Sequence, residues 1–320
     1  MFPWLAYGHI FPYLELSKRL LIRKNFYIYL CSTPINFTSI NTFIRNNNLS
    51  ESIEVVQLHL QPSHELPPHY HTTKNLPSHL AFTLIKAFQT AKSSFSDIIT
   101  TLKPDLIMYD GFQPWAARLA SSQGIPAVYF TPLGAATVSY AYNKCVCGDD
   151  SDFPFQELCL KDDERKTLDD LLQFMSYNML TKDDERGEVF RHDGMAKFAL
   201  GEKEISVEDA LPKGFLERSS LNESLYFGVP VIGMPMKLTM FIDCKMLAEA
   251  GAAMEVVRDK NGAYKGEEIA KAKKKVVVET SGEGLRQRAR ELSNMMKMQE
   301  DQELDEVAED LWRLCLKSKD

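Results

Sequence analysis

The sequence predicts an α/β protein with parallel sheets, and three observations support that fold class. Short stretches rich in apolar and β-branched residues alternate with stretches that have helical spacing. Residues that favour turns, chiefly Gly and Pro, separate the two kinds of stretch. Strands that alternate with helices form parallel sheets through right-handed crossovers, and such sheets bind ligands at the carboxyl ends of their strands.

The first half of the chain contains most of the predicted strands. Pro12 suits the first turn of a helix, and Gly124 is typical of a helix end. Three loops should meet at the carboxyl edge of the sheet: Gly8-His9, Ser32-Thr33 and Asp110-Gly111. The predicted strands are residues 1–6, 25–31, 53–60, 105–109 and 126–130, and the predicted helices start at residue 12 and cover 80–102 and 114–122.

The second half has fewer strands than a second parallel domain needs. Between Lys166 and Ser219 the sequence offers almost none, although residues 166–189 have helical spacing and many charges. Further along, strands are predicted at 229–234 and 252–257, helices at 219–227, 243–250 and 265–317 with a break near Ser281, and a turn at 259–262.

Composition excludes several classes of protein. A chain of 320 residues is long enough for two domains. The formal net charge of -7 argues against general binding to nucleic acids or anionic membranes, which requires a basic surface. No apolar run approaches the roughly 20 residues of a membrane span, and the start does not resemble a signal peptide. Six scattered cysteines indicate reduced thiols, so we expect a cytoplasmic protein.

A histidine and an aspartate form the first candidate site. His9 follows the first predicted strand and Asp110 follows a neighbouring one. A neutral histidine can act as a general base, and a carboxylate can hold its tautomer and stabilise the imidazolium. The alternative is a loop histidine with a helix-capping aspartate.

The predicted helix that starts at Ser219-Ser220 is the second candidate. Backbone N–H groups and the helix dipole favour a phosphate there, and Glu223 one turn later could accept hydrogen bonds from ribose hydroxyls. Ordinary helix capping is the alternative.

A metal site is not expected. His64, His69, His71 and His79 crowd one Pro-rich loop, but their spacing matches no zinc signature. Trp115 is either a packing residue or, because it lies close to Asp110 in sequence, part of a pocket wall.

Six stretches of the chain resemble plant UDP-glycosyltransferases, most of all the branch-forming kind that adds a sugar to a sugar already carried by a small molecule. The last of the six resembles the later half of that family's nucleotide-sugar signature box. The stretches are 2–12 (FPWLAYGHIFP), 32–36 (STPIN), 65–73 (ELPPHYHTT), 110–116 (DGFQPWA), 210–218 (ALPKGFLER) and 219–235 (SSLNESLYFGVPVIGMP).

The resemblance implies a GT-B fold, with two Rossmann-like domains and a C-terminal helix over residues 304–316 that crosses back to the first. It implies direct inverting transfer from a UDP-sugar, here UDP-glucose, to a hydroxyl of a plant flavonoid or terpenoid glycoside. His9 matches the family's catalytic base and Asp110 the aspartate that orients it. No metal and no permanently bound cofactor is implied, and we expect a monomer.

The resemblance also implies binding residues. On the donor side these are Gly8, Ser219, Ser220, Glu223, Thr239 and Met240; on the acceptor side they are His69, His71 and Trp115. The expected division of the chain is an acceptor domain over 1–165, a charged linker over 166–200 and a partial nucleotide-sugar domain over 201–320.

The chain departs from the family pattern on the donor side. The Trp-x-Pro-Gln stretch that opens the signature box, and the His-Cys-Gly-Trp before Ser219, are both missing. Thr239 and Met240 stand where the family has Asp or Glu followed by Gln, and a methionine offers only a weak acceptor. An internal deletion accounts for these gaps. Two hypotheses follow: a working transferase with a reduced donor site, or a non-catalytic relative that binds a glycoside. The loss of several donor contacts at once favours the second.

Overall fold

A computed structural model describes residues 1–61, 63–132, 134, 137–138, 140, 153, 155–162, 164–166, 169, 224–236 and 240–317. These residues group into two compact units. The first contains the described residues of 1–132 and 304–317, and the second contains those of 134–169 and 224–303. Both units are α/β, as the alternating sequence pattern predicts.

The first unit alternates helices and parallel strands. Its helices are α1 (Tyr7–Arg23), α2 (Pro34–Asn46), α3 (Ala81–Gln89), α4 (Lys92–Leu102) and α5 (Trp115–Ser122). Its strands are β1 (Ile28–Ser32), β2 (Ile53–Gln57), β3 (Ile107–Tyr109) and β4 (Ala127–Tyr129).

Backbone pairing joins these four strands through the start of the chain. β1 pairs with β2 in parallel with Ile28 opposite Ile53, and β3 pairs with β4 with Ile107 opposite Ala127. The N–H of Cys31 donates to the carbonyl of Met1, while the N–H of Phe2 donates to the carbonyl of Met108. The carboxyl ends of β1 and β3 therefore lie at one edge, as parallel pairing requires.

The start of α1 differs from the sequence prediction. The helix begins at Tyr7 rather than at Pro12, because the carbonyl of Ala6 already accepts the N–H groups of His9 and Ile10. Pro12 consequently lies inside the helix, where it lacks the N–H that would bond to the carbonyl of Gly8. Gly8 and His9 belong to the first helical turn, and the strand predicted for residues 1–6 is reduced to a bridge at Phe2.

One long predicted helix is two helices in the structure. The stretch over residues 80–102 divides into α3 and α4. At the division the hydroxyl of Thr90 donates to the carbonyl of Ala87, a local bond that competes with the helical pattern.

The second unit has a smaller parallel pair. Its strands are β5 (Val231–Gly233) and β6 (Ala253–Glu255), with Val231 opposite Ala253. Its helices are α6 (Met240–Glu249), α7 (Gly266–Val277) and the first part of α8 (Glu283–Lys317). Buried side chains from α6, β6 and α8 form its core with Tyr140 and Phe153.

The last part of α8 belongs to the first unit and packs against the end of α1 and the residues that follow it. Arg23 at the end of α1 pairs with Asp305 at 2.8 Å, Lys24 pairs with Glu309 at 2.8 Å, and the rings of Phe26 and Trp312 lie 5.6 Å apart edge to face. The ion pairs are partly exposed and contribute little each, so the apolar contact accounts for most of the attachment.

Candidate active site

His9 and Asp110 meet at the carboxyl edge of the first sheet. α1 presents His9 from its first turn, and Asp110 directly follows β3. His9 Nδ1 lies 2.6 Å from Asp110 Oδ2. Because a carboxylate only accepts hydrogen bonds, this contact places the proton on Nδ1 and leaves a lone pair on Nε2. The pair can therefore act as a base with its tautomer fixed.

Burial of the two partners is unequal. The side chain of His9 is 17% exposed, whereas that of Asp110 is 2% exposed. The backbone N–H of Trp4 also donates to Asp110 Oδ2, at 3.2 Å. The carboxylate is thus buried with two donors on one oxygen, which fixes its position, while the imidazole stays accessible to a substrate.

The ring of Phe112 packs on His9, a contact that was not predicted from the sequence. Phe112 lies 5.4 Å from the His9 ring at an interplanar angle of 87°. Its other neighbour is Trp4, stacked at 4.6 Å and 9°. Edge-to-face and stacked aromatic pairs stabilise such an arrangement beyond the area they bury. The sequence feature that could have identified this contact is the position of Phe112, two residues after Asp110.

Trp115 holds the backbone that carries Phe112. Its indole Nε1 donates to Gln89 Oε1 at 2.9 Å, and Gln89 Nε2 donates to the carbonyl of Phe112 at 2.9 Å. The Trp115 side chain is buried and packs against Phe2 and Phe95. Its direct neighbours here are therefore other core groups of the first unit.

Two tyrosines, the buried Tyr13 and the half-buried Tyr129, lie near Asp110. Burial, and to a lesser extent the charge of Asp110, raises the pKa of Tyr13 well above its ordinary value, and Tyr13 donates to the carbonyl of Phe130 at 2.9 Å. Burial likewise raises the pKa of Tyr129. A Cβ at Gly111 would come within 2.8 Å of the Tyr129 hydroxyl, so the glycine leaves room for this ring beside the aspartate.

The two acceptor-side histidines have different environments. His71 is buried, and its Nε2 donates to the carbonyl of Leu66 at 3.2 Å. Burial lowers the pKa of His71, which favours its neutral form. His69 is exposed, and its ring lies 4.2 Å from that of Tyr70. Only His69 of this pair presents an open imidazole.

The loop that carries these histidines is attached to the same sheet edge. The hydroxyl of Thr33 donates to the carbonyl of His71 at 2.6 Å, and the N–H of Thr73 donates to the carbonyl of Leu5 at 3.0 Å. Thr33 and Leu5 are both buried, and Thr33 directly follows β1. The loop therefore lies close to the turn that carries His9.

Of the predicted donor-side residues, the structure describes two. Gly8 occupies the second position of α1 with open space where a Cβ would be. Met240 is the first residue of α6, and 40% of it is exposed. Ser219, Ser220, Glu223 and Thr239, like the predicted linker over 166–200, lie outside the described residues, apart from residues 166 and 169 of that linker.

The described part of the chain contains no group of three or more His, Cys, Asp or Glu side chains arranged to hold a metal ion. Within those same ranges no helix is both apolar enough and long enough to cross a bilayer.

Solved structures identify the fold. The Glycyrrhiza uralensis UGT73P12 structure with glycyrrhetinic acid 3-O-monoglucuronide matches with a TM-score of 0.69 and 13% identity, over 99% of this chain and 96% of that one. Arabidopsis thaliana UGT89C1 with UDP-L-rhamnose matches with a TM-score of 0.63 and 15% identity, over 98% of both chains. The chain has the GT-B fold of plant glycosyltransferases, with a reduced second domain.

Curated relatives identify the family, although no protein-family model matches the chain. UDP-glucosyltransferase 29 of Panax ginseng is 35% identical over 437 residues, covering 100% of this chain and 97% of that protein. The β-D-glucosyl crocetin β-1,6-glucosyltransferase of Gardenia jasminoides is 34% identical over 439 residues, covering 98% of each. The chain therefore belongs to the plant UDP-glycosyltransferases, and it is an enzyme by family.

The alignments also locate what the chain lacks. The match to the ginseng protein runs over 437 residues, whereas this chain has 320. Since 97% of the relative is covered, the shortfall lies inside the aligned region rather than at its ends. This agrees with the internal deletion inferred from the missing parts of the signature box.

Proposed function

We propose that the chain transfers glucose from UDP-glucose, with inversion, to a hydroxyl of a glycosylated plant small molecule of the flavonoid or terpenoid type. The observation that carries this proposal is the 2.6 Å contact between His9 Nδ1 and Asp110 Oδ2, which leaves Nε2 as the basic nitrogen. Residues 1–165 would bind the acceptor and residues 201–320 the nucleotide sugar.

The chemistry needs only these two side chains and the two substrates. His9 Nε2 takes the proton of the acceptor hydroxyl as its oxygen attacks the anomeric carbon. The bond from that carbon to the diphosphate breaks, and UDP leaves from the opposite face. Asp110 stabilises the imidazolium that forms, and its burial behind Trp4 keeps the carboxylate oriented toward Nδ1. On the donor side, backbone N–H groups of the helix predicted to start at Ser219 and Ser220 would hold the diphosphate without a metal.

A glycoside is the proposed acceptor because of the relatives. One of them is named a β-D-glucosyl crocetin glucosyltransferase, and another, from Citrus maxima, a flavanone 7-O-glucoside rhamnosyltransferase. Of the three acceptor-side residues, His69 has the exposed ring, and we infer that it contacts such an acceptor. His71 and Trp115 would act by fixing the loop and the backbone around it. The described free cysteines, which include Cys31 and Cys244, support the proposal of a cytoplasmic protein. A monomer is proposed from the family resemblance alone.

The test is a transfer assay with matched acceptors. The chain is incubated with UDP-glucose and with flavonoid and terpenoid glycosides, each beside its aglycone, and products are read by mass spectrometry and by NMR of the new anomeric centre. We expect one added hexose in β configuration on glycosides and little on aglycones. Transfer that retains the donor configuration, or that prefers aglycones, would contradict the proposal.

A second candidate function is glycoside binding without turnover. The observation that favours it is Met240, whose thioether occupies a position where the family has a glutamine. Calorimetry with UDP separates the two candidates. Binding at micromolar UDP supports the transferase, and no binding at millimolar UDP supports the binding protein.

A further inference from the structure

The carboxyl edge of the first sheet, beside the candidate active site, carries one lysine. Lys74 lies in the loop that also carries His69 and His71, and its side chain is exposed. In the sequence it is the single Lys or Arg of the segments that reach this edge. These segments are residues 1–12, 32–36, 58–80 and 110–114. Apart from any charge on its histidines, the edge therefore has one positive charge.

The backbone around Lys74 is held in place. The N–H of Lys74 donates to Thr72 Oγ1 at 3.4 Å, and the Thr72 hydroxyl donates to the carbonyl of Leu5 at 3.3 Å. The N–H of Thr73 donates to the same carbonyl at 3.0 Å. Asn75 then has a φ of 58°, a left-handed conformation that asparagine tolerates. Lys74 is thus attached to Leu5, which lies two residues before α1.

The ammonium of Lys74 lies against Tyr7, the first residue of α1. Its Nζ is 5.1 Å from the Tyr7 ring centroid and donates to the phenol oxygen at 3.4 Å. The Tyr7 hydroxyl also bonds to Ser39 Oγ at 2.6 Å, and the Tyr7 ring packs edge to face on Phe11 at 5.5 Å. Because the ring is held on two sides, its attraction for the cation keeps the charge near one place.

The partners of this ammonium are neutral. Among the residues that the structure describes, its polar partner is the Tyr7 hydroxyl, and no carboxylate pairs with it. Asp110, the buried carboxylate of the same edge, is bonded to His9 instead. An ammonium of this kind can pair with an anionic ligand without first breaking an ion pair.

Tyr7 and His9 belong to the same turn of α1. Successive residues of a helix are rotated by about 100°, so these two side chains leave the helix on different sides. A molecule that places a hydroxyl at His9 Nε2 and also reaches Lys74 must lie across this turn. A glycoside is long enough to do so, since one helical turn rises only about 5.4 Å.

From these contacts we infer that Lys74 favours acceptors that carry a carboxylate, either a uronic acid on the sugar or an acid group on the aglycone. The inference rests on the proposed function, since it names a class of acceptor for that reaction. Lys74 contacts the substrate, whereas Tyr7 is a positioning residue that holds the ammonium. Because the carboxylate pairs away from the reacting hydroxyl, the charge affects acceptor binding rather than bond formation.

The test compares acceptors that differ only in charge. The first pair is the glucoside and the glucuronide of one flavonoid. The second pair is the glucoside of a triterpenoid acid and the same glucoside with its acid methylated. The Kd of each acceptor is measured by calorimetry, and KM and kcat are measured with UDP-glucose as donor. The two pairs distinguish a carboxylate on the sugar from one on the aglycone.

Three variants and one control are compared with the unaltered chain. Lys74→Met removes the charge and keeps an apolar stem, whereas Lys74→Arg keeps the charge. Tyr7→Phe keeps the ring and removes the hydroxyl that accepts from the ammonium. The control is Lys86→Met, because Lys86 is an exposed lysine in α3, outside the segments that reach the edge.

We expect the unaltered chain to bind the anionic member of at least one pair about fivefold more tightly, the size of a well-placed exposed ion pair. Lys74→Met should abolish this preference and leave kcat and the Kd of the neutral acceptor within about twofold. Lys74→Arg should keep the preference, Tyr7→Phe should reduce it in part, and Lys86→Met should leave it unchanged. Raising the salt concentration from about 0.02 M to about 0.5 M should weaken it, since salt screens exposed charges.

Equal binding of the neutral and anionic acceptors by the unaltered chain would overturn the inference. So would a Lys74→Met chain that loses affinity for both members of a pair alike. Failure of the proposed function gives a different result, namely that no glucose is transferred to any acceptor, neutral or anionic. The Kd values do not require turnover, so they decide the role of Lys74 in that case as well.

Discussion

At the scale of single residues, the proposed chemistry depends on the contact between His9 and Asp110. Both could be predicted from the sequence, because each follows a predicted strand and the carboxyl ends of parallel strands share an edge. Phe112 and Gln89 could not, because their roles depend on contacts with Trp4 and Trp115 that no local pattern encodes. The sequence identified Trp115 as a candidate residue, but its position alone did not show whether its side chain is buried or lines a pocket.

Replacement of His9 by Ala should lower turnover about a thousandfold, since general base catalysis contributes on this order. Asp110→Asn should lower it as well, because an amide no longer stabilises the imidazolium. The measurement is the initial rate of glycoside glucosylation. The matched control is His79→Ala, an exposed histidine that should leave the rate unchanged. A His9→Ala chain with full turnover would refute the base assignment.

Asp243 in α6 gives a residue-scale prediction about stability. Its Oδ1 accepts the Thr137 hydroxyl at 2.8 Å, and burial raises its pKa from 3.8 to about 6. The charged form therefore costs the folded state free energy above pH 6 and nothing below pH 4. Asp243→Asn keeps the hydrogen bond and removes this cost.

We expect Asp243→Asn to raise the free energy of unfolding by about 2 kcal/mol at pH 7.5 and by little at pH 4. Urea unfolding at the two pH values measures it. Equal effects at both pH values would show that the charge is not the cause.

At the scale of elements, strand and helix types were predicted better than their bounds. The helical type of α1 was predicted correctly, yet its start was misplaced because Pro12 was taken as the first helical residue. The carbonyl of Ala6 sets that start, and its partners are visible only in the folded backbone. The turn at 259–262 was predicted correctly, because Asp, Asn and Gly each favour it for a stated reason.

The effect of backbone strain at the turn over residues 259–262 can be tested by substitutions at two glycines. Gly262 has a φ of +75° and open space around a Cβ, so Gly262→Ala introduces backbone strain alone. We expect a loss of about 1 kcal/mol in unfolding free energy. Gly266→Ala is the control, because Gly266 starts α7 without a positive φ and with equal space, and alanine should be neutral or stabilising there. Equal losses at both positions would argue against strain at the turn.

At the scale of the whole molecule, the two units are unequal. The first has four described strands and the intact His9–Asp110 pair, whereas the second has two described strands. This deficit could be located from the sequence, because strand patterns and signature residues are missing from the same stretch. The division into two compact units could not be predicted residue by residue, since α8 runs from one unit into the other. The functional division at residues 165 and 200 stays a prediction.

The reduced donor side predicts a gain of function. Thr239→Asp combined with Met240→Gln restores the two polar groups of the family pattern. We expect about tenfold tighter binding of UDP-glucose, because the new groups can bond to sugar hydroxyls. UDP lacks the hexose and therefore its hydroxyls, so the affinity for UDP should not change. Calorimetry with both ligands measures this, and a parallel gain for UDP would contradict the assignment.

The amide of Gln89 has a consequence for how this gene can change. Its oxygen accepts a hydrogen bond from the indole of Trp115, and its nitrogen donates one to the carbonyl of Phe112. A change of one nucleotide converts a glutamine codon into a glutamate codon. The glutamate would keep the bond from the Trp115 indole, but it would place a carboxylate oxygen, which cannot donate, beside the carbonyl of Phe112. The single substitution Gln89→Glu in α3, remote from His9 in sequence, would thus loosen the aromatic ring that packs on the imidazole of the proposed base.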